Sequence, residues 1–401
     1  MNKTVQVPDG WKPAKLKDAA QVNPRSNSVD DDSLVTFLPM TAVSESGIIQ
    51  GAEIRKAIDV KKGFTSFETG DVLVAKITPC FENNKGCLCR ELKNDRGYGS
   101  TEFHVLRPKK NIMGEYLHIL TRTHHFRGTG ELNMTGTAGQ KRVPTIFLKN
   151  YDFHLPPLPE QKAIADLLST WDDAIEKTER LIRAKEANLR AHIQILISLR
   201  CNSWLHIKTI NMFDTITEKN FPEEELLSVT QDHGVIPRDM LEGRVMSPEG
   251  TTASYKLIKQ GDFAISLRSF QGGIEYSNYQ GIISPAYTVV RPKIELNSDF
   301  YRLFFKSKLF IEKYLTLAVI GIRDGKQISI PDFLSIKIPV PPLKEQEEIA
   351  EALTTLHHEI DLLKQLAAKY KTQKRGLMQK MLTGAWRIKP EIVNQYMEKA
   401  K

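Results

Sequence analysis

Apolar residues recur at alternating spacings of four and three along two long stretches of the chain, starting at Ile164 and Ile349. Such a heptad pattern predicts a long helix with one narrow apolar seam, which suits a helical partner better than a sheet. We therefore expect the two helices to pack against each other. The predicted seam residues are Ile164, Leu168, Trp171, Ile175, Ile182, Leu189 and Leu196 in the first stretch, and Ile349, Leu353, Leu356, Ile360, Leu363, Tyr370, Leu377 and Met381 in the second.

A proline-rich segment opens both stretches. Residues 155–161 read LPPLPEQ and residues 340–346 read VPPLKEQ, which places Glu160 and Glu345 185 positions apart (345 − 160). A repeat of this length indicates duplicated domains, and duplication makes the helix pairing antiparallel about a pseudo-twofold axis. Other matching positions, some with small insertions between them, are Tyr116 and Tyr301, Gly136 and Gly321, Lys141 and Lys326, and Trp11 and Trp204.

The pattern outside the two helices consists of short apolar runs bounded by glycine, proline and charged residues, which is typical of strands and turns. Strands are predicted over residues 72–75, 103–106, 263–267 and 287–290, helices over 115–126 and 300–313, and glycine-rich loops over 128–139 and 321–325. Each half therefore mixes strands with short helices.

Together these patterns predict an α+β fold with pseudo-twofold internal duplication, in which two mixed α/β domains are separated by two long antiparallel helices forming a coiled coil. We expect the first domain over residues 1–155, the central helix over 156–200, the second domain over 201–339, the C-terminal helix over 340–384 and a tail over 385–401.

Composition agrees with this organisation, because 401 residues with 41% apolar content can bury two cores of ordinary size. The net charge of +8 favours a polyanionic partner. The N-terminus lacks a hydrophobic run and no apolar stretch reaches the length of a membrane span, so we expect a cytoplasmic protein without a membrane partner. Four cysteines without C-x-x-C spacing predict reduced thiols and no metal site.

The two glycine-rich loops carry the candidate chemistry. Residues 136–142 read GTAGQKR and residues 321–327 read GIRDGKQ, so both combine glycine with cationic and amide side chains. Arg and Lys suit phosphates and guanine, and Gln suits adenine. Two such loops at equivalent positions of a duplicated chain favour nucleic-acid binding.

The two helix openings and the segments GDVLVAKITPCFEN (residues 70–83), RSFQGG (268–273) and GQKRV (139–143) resemble the specificity subunit of type I restriction-modification systems. The resemblance covers nearly the whole chain. One departure is Asn84, where relatives often place glycine. The resemblance implies a non-catalytic subunit with two target-recognition domains, each of which reads one half of a split, asymmetric sequence in double-stranded DNA.

The resemblance also implies partners. The helices are expected to hold the domains apart and to recruit two methyltransferase subunits and, through them, restriction (translocase) subunits. S-adenosylmethionine, ATP and Mg²⁺ are then expected in those partners, and no cofactor in this chain.

Within the two domains we expect arginine and glutamine to read bases and lysine to neutralise phosphates. The DNA-binding candidates are Lys76, Thr78, Lys85, Gln140, Lys141 and Arg142 in the first domain, and Arg268, Ser269, Gln271, Arg323, Lys326 and Gln327 in the second. A salt bridge near a strand end is the alternative for Lys76 and Arg268, and a plain turn is the alternative for Thr78.

Two other functions would each explain part of the sequence, a Mg²⁺-dependent nuclease and a coiled-coil scaffold. Asp71, Glu91 and Lys93 loosely imitate the carboxylates and lysine of a Mg²⁺-dependent nuclease, but the second half keeps only Asp262 of this set. A coiled-coil scaffold that binds no DNA would explain the helices and leave the paired loops without a role. Salt-dependent retention on DNA distinguishes the scaffold from a DNA-binding subunit.

Overall fold

The computed structural model describes residues 7–25, 29–137, 139–241, 252–266, 272–321 and 327–398. The chain divides into two compact units. The first comprises residues 1–177 and 367–401, and the second comprises residues 178–366. Each unit therefore contains one mixed α/β domain together with part of each long helix.

Before the long helix α6, the described residues of the first unit form ten strands and five short α-helices. The strands are β1 (Lys12–Lys15), β2 (Ala20–Val22), β3 (Leu34–Leu38), β4 (Glu53–Lys56), β5 (Thr65–Glu68), β6 (Val72–Ala75), β7 (Gly86–Leu88), β8 (Arg96–Gly99), β9 (Phe103–Pro108) and β10 (Asp152–Leu155). The helices are α1 (Leu16–Ala19), α2 (Ala57–Val60), α3 (Gly114–Leu120), α4 (His124–Leu132), α5 (Thr145–Asn150) and α6 (Leu158–Ile193).

The second unit repeats the plan, and the chain then continues into α9. Its strands are β11 (Leu205–Lys208), β12 (Phe213–Ile216), β13 (Leu227–Thr230), β14 (Gly234–Pro237), β15 (Lys256–Ile258), β16 (Phe263–Ser266), β17 (Glu275–Tyr276), β18 (Gly281–Ile283), β19 (Tyr287–Pro292), β20 (Val319–Ile320), β21 (Gln327–Ile328) and β22 (Lys337–Val340). Its α-helices are α7 (Ser298–Lys306) and α8 (Ile330–Ser335). The helix α9 (Leu343–Leu382) begins in the second unit and ends in the first, to which α10 (Pro390–Glu398) also belongs. None of the helices in the described part of the chain is long and apolar enough to cross a membrane.

One four-stranded antiparallel sheet occurs in both units with the same connectivity. The strand order is β2-β9-β6-β7 in the first unit and β12-β19-β16-β17 in the second. Successive side chains of a strand point to opposite faces, and both faces of β6 are covered: Val72 and Val74 join one apolar cluster, Leu73 and Ala75 another. A strand buried on both faces reads as a continuous apolar run, which is why the sequence predicted β6 correctly.

A buried ion pair confirms the duplication. Asp71, which precedes β6, is 1% exposed and accepts hydrogen bonds from Nε and Nη2 of Arg107 at 2.8 and 2.9 Å. In the second unit Asp262 accepts the same two bonds from Arg291 at 2.8 and 2.7 Å. Such bidentate pairs have a fixed geometry, so each joins the start of one strand to its neighbour.

The repeated helix-opening motif anchors each long helix to its own unit. The Glu160 carboxylate accepts a hydrogen bond from Trp11 Nε1 at 3.0 Å and pairs with Arg387 at 2.6 and 2.8 Å. Glu345 likewise accepts hydrogen bonds from Trp204 Nε1 and from an arginine Nη1, both at 3.1 Å. The predicted equivalence of the two tryptophans is confirmed.

In each unit the two long helices contact each other at positions of the predicted seam series. Every seam residue is buried or half-buried. In the first unit the rings of Trp171 and Tyr370 meet edge to face with centroids 5.7 Å apart. In the second unit Lys185, which lies within the seam series, pairs with Glu359 at 2.8 Å.

The ends of the seam have a second role. Ile164 and Leu168 join the core of the first unit together with Met381, and Ile349 and Leu353 join the core of the second. Each long helix therefore also packs on its own globular unit, through its first turns.

Three sequence predictions are wrong in detail. The helix predicted over 115–126 breaks between α3 and α4, where the Thr123 hydroxyl accepts the amide hydrogen of Phe126. The helix predicted over 300–313 ends with α7, and a π-helical turn follows at Phe310–Tyr314. The first half of the loop predicted over 128–139 is helical, because α4 continues through Gly130, where a Cβ atom would lie 2.3 Å from the buried Phe81 ring.

Candidate nucleic-acid interface

The first unit brings its candidate residues together at the end of β6. Beyond Ala75 the chain runs beside residues 141–143. The amide of Val143 donates to the Lys76 carbonyl at 2.8 Å, and the amide of Thr78 donates to the Lys141 carbonyl at 2.9 Å. Two segments far apart in sequence are thereby held side by side by main-chain hydrogen bonds.

The glycine-rich segment forms the tip of a hairpin. Thr135 and Arg142 exchange two main-chain hydrogen bonds of 3.0 and 2.8 Å, so residues 136–141 form its loop. Gly136 has a φ of +121°, and a Cβ atom there would lie 3.0 Å from the Gln140 carbonyl oxygen. Only glycine suits this position. Gln140 and Lys141 are both exposed at the loop.

Arg142 is held by an acidic residue that the sequence analysis missed. Its Nε and Nη2 donate to the Glu102 carboxylate at 3.0 and 2.9 Å, and its Nη1 donates to the Gln140 carbonyl at 3.0 Å. The hydrogen bond from Arg142 lowers the pKa of Glu102 below its usual value. Glu102 immediately precedes β9, and nothing in the local sequence indicated a partner 40 residues away.

The other three candidates of this unit lie in the loop between β6 and β7. Lys76 is half-buried and close enough to contribute to the lowered pKa of Glu102, although no direct ion pair joins the two. The Thr78 hydroxyl donates to Glu82, and Lys85 Nζ donates to the Met40 carbonyl at 3.4 Å.

Asn84 and His104 shape this region. Asn84 adopts a φ of +65°, the left-handed conformation, which asparagine tolerates better than most residues. His104 Nε2 lies 2.8 Å from the Val143 carbonyl, so this nitrogen carries the proton, and Nδ1 accepts a hydrogen bond from Asn23 at 3.1 Å. Burial lowers the pKa of His104, which keeps the ring neutral.

The second unit has the corresponding hairpin. Ile320 of β20 pairs with Gln327 of β21, and the Ser329 amide donates to the Ala318 carbonyl at 2.8 Å. Gln327 is exposed. The remaining candidates of this unit lie outside the described residues: Arg268, Ser269, Gln271, Arg323 and Lys326.

The nuclease interpretation is not supported by the geometry. Both carboxylate oxygens of Asp71 are occupied by Arg107, and Glu91 lines the same open cleft without forming a ligand set with it. In the described ranges no group of three His, Cys, Asp or Glu side chains could hold a metal ion. Asp71 therefore serves the ion pair at the start of β6.

The sequence matches the family described as "Type I restriction modification DNA specificity domain" over residues 8–186 and 245–371. The EcoAI specificity subunit of Escherichia coli is 39% identical over 201 residues, which are 49% of this chain and 33% of that protein. The match thus spans about a third of that relative's length. The MjaVIII specificity subunit of Methanocaldococcus jannaschii is 27% identical over 64% of this chain and 67% of its own.

Among solved structures, the HsdS subunit from Thermoanaerobacter tengcongensis superposes with a TM-score of 0.52 at 18% sequence identity. The superposition covers 96% of this chain and 99% of that subunit. At this identity the likeness concerns the fold alone.

Proposed function

The chain belongs to the type I restriction-modification DNA specificity family, and we propose that each of its two units reads one half of a bipartite, asymmetric target in double-stranded DNA. One observation carries this proposal. In both units an inner strand of the repeated sheet, β6 or β16, is followed in sequence by candidate residues, and a second, glycine-rich segment flanked by paired residues supplies the rest. The loop sequences differ between the units, so the two half-sites are expected to differ.

Distinct roles follow from side-chain chemistry in the first target-recognition domain, which we assign to residues 1–155. Lys76, Lys85 and Lys141 neutralise phosphates, whereas Gln140 and Arg142 read bases. Because Glu102 occupies Nε and Nη2 of Arg142, the guanidinium is held in a fixed orientation, which favours a specific contact over a diffuse one. The Thr78 hydroxyl is the sixth candidate for DNA contact in this domain.

In the second domain, residues 201–339, Arg268, Gln271, Arg323 and Gln327 are proposed to read bases. Ser269 and Lys326 contact the backbone of the DNA. Arginine presents two donors in a plane and can bond both acceptors of guanine, whereas lysine acts as a point charge.

The long helices and the partner subunits complete the proposed complex. The helices, assigned to residues 156–200 and 340–384, set the number of base pairs between the half-sites and recruit two methyltransferase subunits, which in turn carry restriction subunits. In this scheme the chain itself is non-catalytic, and S-adenosylmethionine, ATP and Mg²⁺ are used by the partners.

The proposal is tested by co-expressing the chain with its methyltransferase subunits in a host free of adenine methylation and mapping methylated adenines across the genome. The expected result is one motif with two unlike halves separated by a fixed number of unspecified bases. The matched control omits this chain and should show no motif. Methylation at a single continuous motif, or at the same sites without the chain, would refute the proposal.

A further inference from the structure

We propose that in each unit a cation bound to main-chain carbonyls positions a segment that carries candidate DNA-binding residues: Arg127 in the first unit and Lys306 in the second. The inference rests on the proposed function, since it concerns the same candidate residues. Neither cation reads a base in this role. Each fixes the backbone that carries candidate residues or that is hydrogen-bonded to the segment carrying the base readers.

Arg127 binds the loop between β6 and β7, residues 76–85, which contains three of the candidate residues. From α4, its Nη1 donates to the Phe81 carbonyl at 2.9 Å and its Nε donates to the Thr121 carbonyl at 2.8 Å. Its guanidinium stacks over the Phe81 ring, 4.6 Å from the centroid. One side chain therefore joins the break between α3 and α4 to the middle of the loop.

Phe81 transmits this restraint to the rest of the loop. Its side chain is fully buried, and its amide donates to the Ile77 carbonyl at 3.0 Å. Lys85 closes the same turn by donating from its amide to the Cys80 carbonyl at 3.0 Å. A displacement of the Phe81 backbone would therefore shift both ends of the loop. At its start, Lys76 and Thr78 are hydrogen-bonded to Val143 and Lys141, so the shift would also move Arg142, which is proposed to read a base.

The charge of Arg127 makes the restraint strong. Arg127 is 6% exposed, and the acceptors recorded for it in the described part of the chain are carbonyl oxygens. Burial lowers the pKa of Arg127 to about 9, so the group is still charged at neutral pH. A charge removed from water requires a full set of hydrogen-bond partners. The carbonyls and the guanidinium thus hold one another in place.

Lys306 does the same in the second unit. It is the last residue of α7, and its Nζ donates to the carbonyls of Gln231 and Gly272 at 2.9 Å each and pairs with the buried Glu275 of β17. In sequence, Gly272 directly follows the candidates Arg268, Ser269 and Gln271. Gly273 has a φ of +79°, and a Cβ atom there would lie 2.2 Å from the Phe305 carbonyl oxygen, so the backbone at Gly273 lies directly against the end of α7.

The sequence repeat does not reveal this correspondence. At the offset of 185 (345 − 160) Arg127 corresponds to Glu312, and Lys306 corresponds to Thr121. The two units nevertheless place a cation at the same structural position, the end of the helix that follows β9 or β19. The Arg127 guanidinium donates to the carbonyl of Thr121, the residue that follows α3, whereas Lys306 is itself the last residue of α7.

The test uses the full chain in complex with its methyltransferase subunits and measures binding to duplexes with single-base changes in either half-site. Arg127→Lys keeps the positive charge and removes the planar guanidinium, whose Nε and Nη1 donate to two different carbonyls. Lys306→Met loses both the charge and the donors, whereas Lys306→Gln keeps a donor. The matched controls are Arg90→Lys and Lys308→Met, at side chains 67% and 83% exposed.

We expect Arg127→Lys to reduce discrimination within one half-site about tenfold and Lys306→Met to do so within the other, the size of one lost base contact. Lys306→Gln should fall between Lys306→Met and the wild type, and it carries the test if Lys306→Met does not fold. The controls should match the wild type. Unchanged discrimination, or equal relaxation of both half-sites by either variant, would overturn the inference. If the wild type shows no half-sites at all, the proposed function fails instead.

Discussion

The glutamine of each helix-opening motif should contribute to stability in proportion to the hydrogen bonds that it makes. Gln161 is fully buried and makes three: its Oε1 accepts the amide hydrogen of Met113 at 2.9 Å, and its Nε2 donates to the carbonyls of Asn111 and Pro156 at 2.9 and 2.8 Å. Gln346 makes two, with the Asn297 amide and the Pro341 carbonyl, both at 2.8 Å.

A typical hydrogen bond contributes roughly 1 kcal/mol to stability, and a buried group left without a partner loses more. Gln161→Ala should therefore lower the free energy of unfolding of the first unit by about 3 kcal/mol, and Gln346→Ala should lower that of the second by about 2 kcal/mol. The difference between the two losses in the free energy of unfolding is a sharper test than either loss alone, since both variants make the same chemical change.

Tryptophan fluorescence during urea unfolding can separate the units. Trp204 belongs to the second unit, and the other three tryptophans belong to the first. Gln379→Ala, at an exposed position of α9, is the matched control and should leave stability within about 0.5 kcal/mol of the wild type. If Gln161→Ala lowers stability no more than this control does, the glutamine is not an anchor and the reasoning is wrong.

Three further predictions concern the interface and the helices. Replacing Arg323 with Ala should relax one position of one half-site at a cost of about 1–3 kcal/mol, whereas Lys141→Ala should weaken binding to all sequences and reduce the salt slope of binding by about one; quantitative binding at several salt concentrations distinguishes the two outcomes. The lowered pKa of Glu102 means that its pair with Arg142 stabilises the fold above the usual carboxyl pKa of 4.5 and that this contribution is lost as the pH falls through the lowered value. Thermal unfolding across this range should show a smaller pH dependence in Glu102→Gln. A seven-residue insertion in both α6 and α9 should lengthen the gap between half-sites and leave both halves recognisable in the methylation map, and loss of either half would contradict the role of the helices.

The parts of the fold that depend on local pattern were predictable from sequence. The heptad spacing identified both long helices, because the periodicity of apolar residues is a local property of the sequence. The strand β6 was identifiable because burial on both faces demands an uninterrupted apolar run. The duplication followed from one repeated motif.

The parts that depend on distant contacts were not predictable. The break between α3 and α4 needs the Thr123 cap, and Gly130 lies within a helix because Phe81, 49 positions earlier (130 − 81), packs against it. Glu102 could not be assigned to Arg142, since any of several acidic residues could have served. Local propensity suggests where an element can form, and tertiary packing decides where it ends.

The residues that the two halves share and those that they do not share have different physical roles. Asp71 and Asp262 are buried and occupy equivalent ion pairs, and the repeated Glu-Gln pair of the helix opening, at 160–161 and 345–346, makes equivalent hydrogen bonds. A change at any of these positions removes hydrogen bonds that stabilise the fold, which costs stability whatever the DNA sequence being read. The segments that carry the candidate DNA-binding residues differ in sequence between the halves. Even the cations that support the loops, Arg127 and Lys306, come from different positions in the repeat. Two copies of one scaffold can therefore diverge in what they recognise while retaining the contacts that fold them.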